Sequence, residues 1–357
     1  MERALTSIMV TGGAGFIGSN FIRCLFDEPG FGGHVVNVDA LTYAANPASL
    51  SDIEAEHGGS RYHFEHVDIR DFEAVAEIFS RYEIDTVVHF AAESHVDRSI
   101  LGPRVFIETN VLGTSNLLEA ARRSWGGRQD VLFHHVSTDE VFGSLGEGGA
   151  FREDTPYDPR SPYSASKAAS DHLVRAWWHT YGLPVSVSNC TNNYGPFQFP
   201  EKMIPLMILN ILERRPLPVY GDGRNIRDWL YVGDHASAIW RILTRGRPGE
   251  TYLVGGENEW ENITLVEALC SKVAAITGRS DDEARALITH VTDRPGHDRR
   301  YAVDCSKIKS ELGWQRRYSF SEGLDATIRW YMEHTRWVRE VRSGEYQTWI
   351  QENYAAR

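Results

Sequence analysis

The chain has 357 residues, 42% of them hydrophobic and 24% charged, enough to bury a full core and to form one large domain with a smaller lobe. Its formal charge of -12 argues against a nucleic-acid binder, whose affinity rests on neutralising phosphates with a basic surface, so an anionic ligand would need local arginines. Met1 to Ser7 runs straight into a strand without signal-peptide character, no apolar run approaches a membrane span, and four scattered cysteines (Cys24, Cys190, Cys270, Cys305) fit reduced thiols in a cytoplasm.

Strand-like runs occur at Ser7 to Thr11, His34 to Val38, Tyr62 to Val67, Thr86 to Ala91 and Val131 to Ser137. Between them lie helical patterns such as Phe16 to Phe26, Phe72 to Tyr82 and Val105 to Arg123. This alternation predicts an α/β fold with a doubly wound parallel sheet, and a sixth strand is expected at Val185 to Ser188. His134 and His135 are neighbours in a strand and so face opposite ways, which speaks against joint metal chelation; no metal site is expected. Beyond residue 190 prolines at 196, 200, 205, 216 and 218 interrupt the rhythm, as suits irregular segments covering a ligand cleft. Residues 1–190 are therefore expected to form a dinucleotide-binding domain that carries the catalytic residues, and 191–357 mainly a substrate lobe. Trp229 to Val232 and Thr251 to Val254 could return to sheet, which would interleave the two.

Three motifs carry chemistry. Thr11-Gly-Gly-Ala-Gly-Phe-Ile-Gly18 stands between a predicted strand and helix: Gly12 permits a tight turn, Gly15 lets backbone approach a pyrophosphate, and Gly18 allows close helix packing. Asp39 ends the next strand about twenty residues later, where a carboxylate can accept from a ribose hydroxyl and repel the extra phosphate of NADP, so NAD is the expected cofactor of this Rossmann-type unit. Tyr163-Ser-Ala-Ser-Lys167 places phenol and ammonium on one helical face, so that the lysine could lower the phenol pKa and favour a phenolate base. Asp139 and Glu140 close the fifth strand. A simple dehydrogenase needs one acid/base group beside its nicotinamide, so this further pair implies a second bond-breaking step; both can face one cleft only if the strand ends near Thr138.

Taken with Ala91-Ala-Glu-Ser-His-Val-Asp-Arg-Ser99, Ser137-Thr-Asp-Glu140, Asn192-Asn-Tyr-Gly-Pro-Phe-Gln-Phe-Pro-Glu-Lys202, Arg227-Asp-Trp-Leu-Tyr-Val232, Asp293-Arg-Pro-Gly-His297 and Ser343-Gly-Glu-Tyr-Gln-Thr-Trp349, these motifs make the chain resemble the dTDP-glucose 4,6-dehydratases of the extended short-chain dehydrogenase/reductase family. The likeness spans nearly the whole sequence, with Phe142 and the glycine-rich Gly143 to Gly149 as local departures.

The resemblance implies an NAD-dependent hydro-lyase acting on dTDP-glucose, with oxidation at C4, loss of water across C5 and C6, and return of hydride to C6. It implies Tyr163, supported by Lys167, as the base for C4 oxidation, Glu140 as the C5 base, Asp139 as the acid at the 6-hydroxyl, and Thr138 at the 4-hydroxyl. Implied cofactor contacts are Gly12, Gly15, Phe16, Ile17, Gly18, Asp39, Leu41, Thr42, Asp68, Ile69, Ala91, Ala92, Glu93, Ser94, Thr109 and Asn193, with Tyr163 and Lys167. Implied substrate contacts are His95, Asn192, Lys202, Met203, Pro218, Tyr220, Arg227, Asn262, Arg294 and His297, with Thr138; Arg227 and Arg294 suit phosphate oxygens, and Tyr220 suits a base. A homodimer through helices at Val105 to Arg123 and Ser164 to Tyr181 is also implied. UDP- or GDP-hexose dehydration is the alternative; a 4-epimerase would have no use for Asp139 and Glu140, nor a non-catalytic NAD sensor for Tyr163 and Lys167.

Overall fold

The computed structural model describes residues 3–342; the Ser343 to Trp349 motif lies outside the described residues. In chain order the elements are β1 (Ser7–Thr11), α1 (Phe16–Asp27), β2 (His34–Asp39), α2 (Ser51–His57), β3 (Tyr62–His66), α3 (Phe72–Arg81), β4 (Thr86–His89), α4 (Val96–Leu101), α5 (Pro103–Phe106), α6 (Thr114–Trp125), β5 (Leu132–Thr138), α7 (Pro162–Tyr181) and β6 (Val185–Cys190). There follow β7 (Asn192–Tyr194), α8 (Met203–Glu213), β8 (Leu217–Tyr220), β9 (Ile226–Tyr231), α9 (Val232–Arg245), β10 (Thr251–Val254), β11 (Glu259–Glu261), α10 (Asn262–Thr277), α11 (Asp281–Arg285), β12 (Ile288–Val291), α12 (Ser306–Leu312), α13 (Phe320–Glu333) and α14 (Thr335–Val341).

Seven parallel strands form the main sheet in the order β10-β6-β5-β4-β1-β2-β3. β1, β4, β5 and β6 are buried along their whole length, as expected of a sheet covered by helices on both faces. The order reverses between β1 and β4, and that reversal opens a crevice beyond the strand ends, the place where open parallel sheets bind ligands. Two small sheets, β11-β9-β7 and β12-β8, belong to the second half, where Ile204, Ile208, Leu265, Leu269, Leu324 and Ile328 share a separate core. The chain nevertheless crosses back: β10 pairs with β6, and α9 packs against α1.

The helix expected over Val105 to Arg123 is instead three pieces: α5, a wider π-turn over Ile107–Gly113, then α6. Periodicity cannot register such an extra residue per turn. It brings Thr109 to the cleft, while the hydroxyl of Thr114 lies 2.9 Å from Nε2 of His89 inside the sheet. The expected strand at Trp229 to Val232 begins earlier, at Ile226, because it pairs on both edges, with β7 and β11.

Candidate active site

β5 stops at Thr138, and the reason is local: the Thr138 side chain caps a 3₁₀ turn over Asp139–Phe142 by accepting from the Glu140 amide at 3.3 Å. The turn abolishes strand alternation, so both adjacent carboxylates line one cleft. Phe142 anchors the far end by stacking on Phe151 and meeting Tyr157 edge-on, each at 5.1 Å between ring centres. Gly143 follows at φ +85°, where a Cβ would lie 2.6 Å from the Asp158 carbonyl. The departures from the family pattern thus close the turn by aromatic packing and leave the carboxylates in place.

The two carboxylates are electrostatically unequal. Asp139 is 1% exposed, its Oδ2 has no hydrogen-bond partner, and burial, Glu140 and Asp228 together hold its pKa well above the carboxylate range. Burial also raises Glu140, but Arg294, Arg227 and Lys202 pull it back toward the ionised state. Asp139 therefore keeps a proton more readily, and Glu140 is the better base.

Tyr163 and Lys167 come from the first turns of α7, whose start is fixed by Pro162 and by a reciprocal cap: Ser161 Oγ accepts from the Ser164 amide and Ser164 Oγ from the Ser161 amide, each at 3.0 Å. Both side chains are buried and line the cleft. The expected lowering of the phenol is not what the surroundings produce. Burial holds Tyr163 well above its usual range, Glu140, Cys190 and Asp139 reinforce this, and a hydrogen bond with Thr138 opposes it. Lys167 gives its own hydrogen bond to the Val136 carbonyl at 2.9 Å, and burial lowers it to about 8.

The rest of the cleft is a long groove over the β1–α1 turn. At Gly12 (φ +71°) a Cβ would sit 2.7 Å from the Ala91 nitrogen, and at Gly18 one would sit 2.3 Å from the Gly12 carbonyl; at Gly15 it would meet only that carbonyl, at 3.2 Å. The turn is thus tight on the protein side and open on the groove side, a cradle that suits a pyrophosphate. Asp39 ties the turn together by accepting from the Ala14 amide at 2.9 Å and the Leu41 amide at 2.8 Å. Phe16, Ile17, Thr42, Asp68, Ile69, Ala91, Ala92, Glu93, Ser94, Thr109 and Asn193 line the groove with Gly12, Gly15, Gly18 and Asp39. Leu41 does not: its backbone is left-handed (φ +52°) and its contribution is the amide given to Asp39.

Past the carboxylates lies a basic corner. Arg227 and Arg294 both act on Glu140 and on His297, whose ring stands 6.1 Å from that of Tyr220. Tyr220 donates to Asp97 at 3.0 Å, and Arg294 lies 3.5 Å from the same carboxylate. Arg294 Nε, Asn192 Oδ1 and Asn262 Oδ1 are buried without partners, as suits groups waiting for a polar ligand. Asn192 and Lys202 line the cleft beside Glu140. His95 stands just before α4, with Nε2 4.0 Å from Glu201. Met203 packs on the second core, and Pro218 stands opposite Thr289 in the β8–β12 pair; for these two, core and sheet packing set the position.

Sequence reasoning missed Glu201, Asp97 and Asp171. Glu201 is a buried cleft carboxylate that accepts from Tyr43 at 3.1 Å and pairs with Arg98 at 3.2 Å. Asp97 sits within the quoted Ala91 to Ser99 run, and Asp171 follows Lys167 by one helical turn, a spacing that would have drawn attention to it.

A family model described as GDP-mannose 4,6 dehydratase matches residues 9–327. A dTDP-glucose 4,6-dehydratase of Salmonella typhimurium is 52% identical, over 98% of this chain and 99% of its own length. The solved dTDP-glucose 4,6-dehydratase DesIV of Streptomyces venezuelae, with NAD bound, superposes with a TM-score of 0.85 at 45% identity, covering 93% of this chain and 98% of that one. A Thermus thermophilus UDP-glucose 4-epimerase with NAD reaches a TM-score of 0.80 at 29% identity, covering 92% and 100%.

Proposed function

Because the chain belongs to the dTDP-glucose 4,6-dehydratase family, within the extended short-chain dehydrogenases/reductases, we propose that its cleft converts dTDP-glucose to dTDP-4-keto-6-deoxyglucose and water with NAD as cofactor. The observation that carries this reading is the unequal pair Asp139 and Glu140 in the same cleft as Tyr163. The groove over Gly12 to Gly18 would hold NAD, which supplies reversible hydride transfer, away from C4 and later to C6.

The chain's residues then manage protons. Tyr163 would take the proton of the 4-hydroxyl in its phenolate form, which the Thr138 hydrogen bond favours and burial opposes. The resulting 4-ketone acidifies the C5 hydrogen, which hydroxide loss from the starting sugar could not exploit. Glu140 removes the C5 proton and Asp139 delivers its own to the departing 6-hydroxyl, so water leaves and a C5–C6 double bond forms. Glu140 can return its proton to C5 as hydride reaches C6. Arg227, Arg294, His297 and Tyr220 would seat the nucleotide end, with the guanidinium groups on phosphate oxygens.

A homodimer is supported by apolar side chains left in the open along α4 to α7: Leu101 (75% exposed), Ile107 (50%), Leu112 (52%) and Tyr181 (53%). Among the described residues no helix is long and apolar enough to cross a membrane, and the four free cysteines support a reducing compartment such as the cytoplasm.

The decisive experiment incubates the protein with dTDP-glucose and follows the 4-keto product; dTDP-galactose formed without a 4-keto sugar would overturn the reading in favour of epimerisation. Parallel incubations with UDP- and GDP-hexoses test the base preference.

A further inference from the structure

Behind Lys167, on the side away from the groove, a polar cluster is sealed inside the α7–β5–β6 layer. Asp171 and His135 are 0% exposed. Oδ1 of Asp171 lies 3.2 Å from His135 Nε2, and the same nitrogen lies 3.4 Å from Lys167 Nζ. Oδ2 of Asp171 accepts from the Tyr157 hydroxyl at 2.7 Å and from Asn189 Nδ2 at 3.1 Å, and Arg175 donates to that same hydroxyl at 2.9 Å. The carboxylate is thus held by hydrogen bonds from β6 and from the segment before α7, with His135 of β5 beside its other oxygen.

A buried charge in such a place is costly, and an apolar side chain of similar volume would serve the fold as well or better. The groups that face Lys167 are few. Besides Asp171 and His135 they are Tyr163 on its own helix, Cys190 on β6 and His89 on β4, with Arg175 acting on His135. His89 and His135 are both held neutral by burial, Cys190 stays a thiol, and Tyr163 a phenol. Asp171, held ionised by its partners, is the one full negative charge among these groups.

We propose that Asp171, whose carboxylate lies against the same His135 nitrogen as the Lys167 ammonium, is the buried counter-charge that keeps this ammonium protonated beside the Val136 carbonyl. Asp171 and His135 are positioning residues: neither lines the groove, and both act through Lys167. Lys167's part in the reaction rests on the dehydratase reading, whereas the influence of Asp171 on its charge does not.

The chain has only five lysines, so Lys167 can be followed directly by NMR of Cε-labelled lysine in the full-length protein loaded with NAD, assigned by its loss in Lys167→Met. Asp171→Asn is expected to lower the Lys167 midpoint by about 1–3 pH units and to move the alkaline limb of kcat down with it, while Asp171→Glu restores both. A Lys167 midpoint unmoved in folded Asp171→Asn overturns the proposal, whatever product the enzyme forms. If Asp171→Asn does not fold, adding Lys167→Met removes the stranded charge and should restore folding; a double variant that also fails to fold overturns the proposal. Product assays with dTDP-glucose report separately on the dehydratase reading.

Discussion

Asp139 and Glu140 are consecutive in the chain and share one cleft, and Arg227 acts on both, yet Asp228 opposes ionisation of the first while Arg294 and Lys202 favour ionisation of the second. Sequence adjacency therefore does not make them interchangeable. Their surroundings make one carboxyl keep its proton more readily than the other, the inequality that an acid and a base would need.

Replacing the base tests that division. Glu140→Gln should cut dehydration by about 10²–10⁴-fold and abolish deuterium uptake at C5 from D₂O. Because Glu140 is the first charge that raises Tyr163, the same change should shift the pH limb of C4 oxidation, followed through the absorbance of the reduced cofactor, to lower pH. Full C5 exchange in this variant would remove Glu140 from the mechanism.

Asp139→Asn should separate function from stability. The native state holds the Asp139 proton far above the pH at which an unfolded aspartate loses it, so this site's contribution to stability falls as pH rises through that window. Asparagine has no proton to lose. The variant should therefore melt higher than the parent, by a margin that widens from pH 5 to pH 8, while losing dehydration but keeping C5 exchange. Melting curves at several pH values check the sign; an unchanged margin would mean that Asp139 is ionised in the fold.

Lys167→Met makes the opposite use of linkage. Lys167 titrates at about 8 against an ordinary 10.5, so between those values the unfolded state binds more protons and the wild type gains stability as pH rises, by roughly 3 kcal/mol at most. The variant should lack this gain. Chemical denaturation of both proteins at pH 7.5 and 10 measures the difference between their slopes with pH.

The sheet, the glycine turn and the Tyr163–Lys167 face could be read from the chain because each is a local pattern: strand-helix alternation, glycines at a strand-to-helix turn, and a four-residue spacing on one helix. Other features depend on neighbours far away in sequence. The π-turn over Ile107–Gly113 ends where Gly113 meets Ile69, whose side chain would lie 2.6 Å from a Cβ there. Burial raises the phenol and a carboxylate 23 residues upstream adds to it, while Lys167 turns to a carbonyl on β5. Residue spacing on α7 contains neither fact. The basic corner was legible as residues but not as geometry, since Asp97, Tyr220 and Arg294 come from three separate segments.

That corner supports the last prediction. Arg294 is largely buried, its Nε has no partner, and its terminal nitrogen is 3.5 Å from Asp97, which also accepts from Tyr220. A guanidinium placed this way has donors left for a phosphate and a carboxylate behind it to fix its direction. Arg294→Lys keeps the charge but loses the planar fork, and a lost hydrogen bond to a charged group is worth about 1.5–3 kcal/mol, so KM for dTDP-glucose should rise by roughly 10–100-fold. Since Arg294 also pulls Glu140 toward ionisation, kcat should fall much less in Arg294→Lys than in Arg294→Gln, where the positive charge is gone. Steady-state kinetics of the two variants separate these roles, and equal kcat values would show that Arg294 holds the nucleotide without tuning the base.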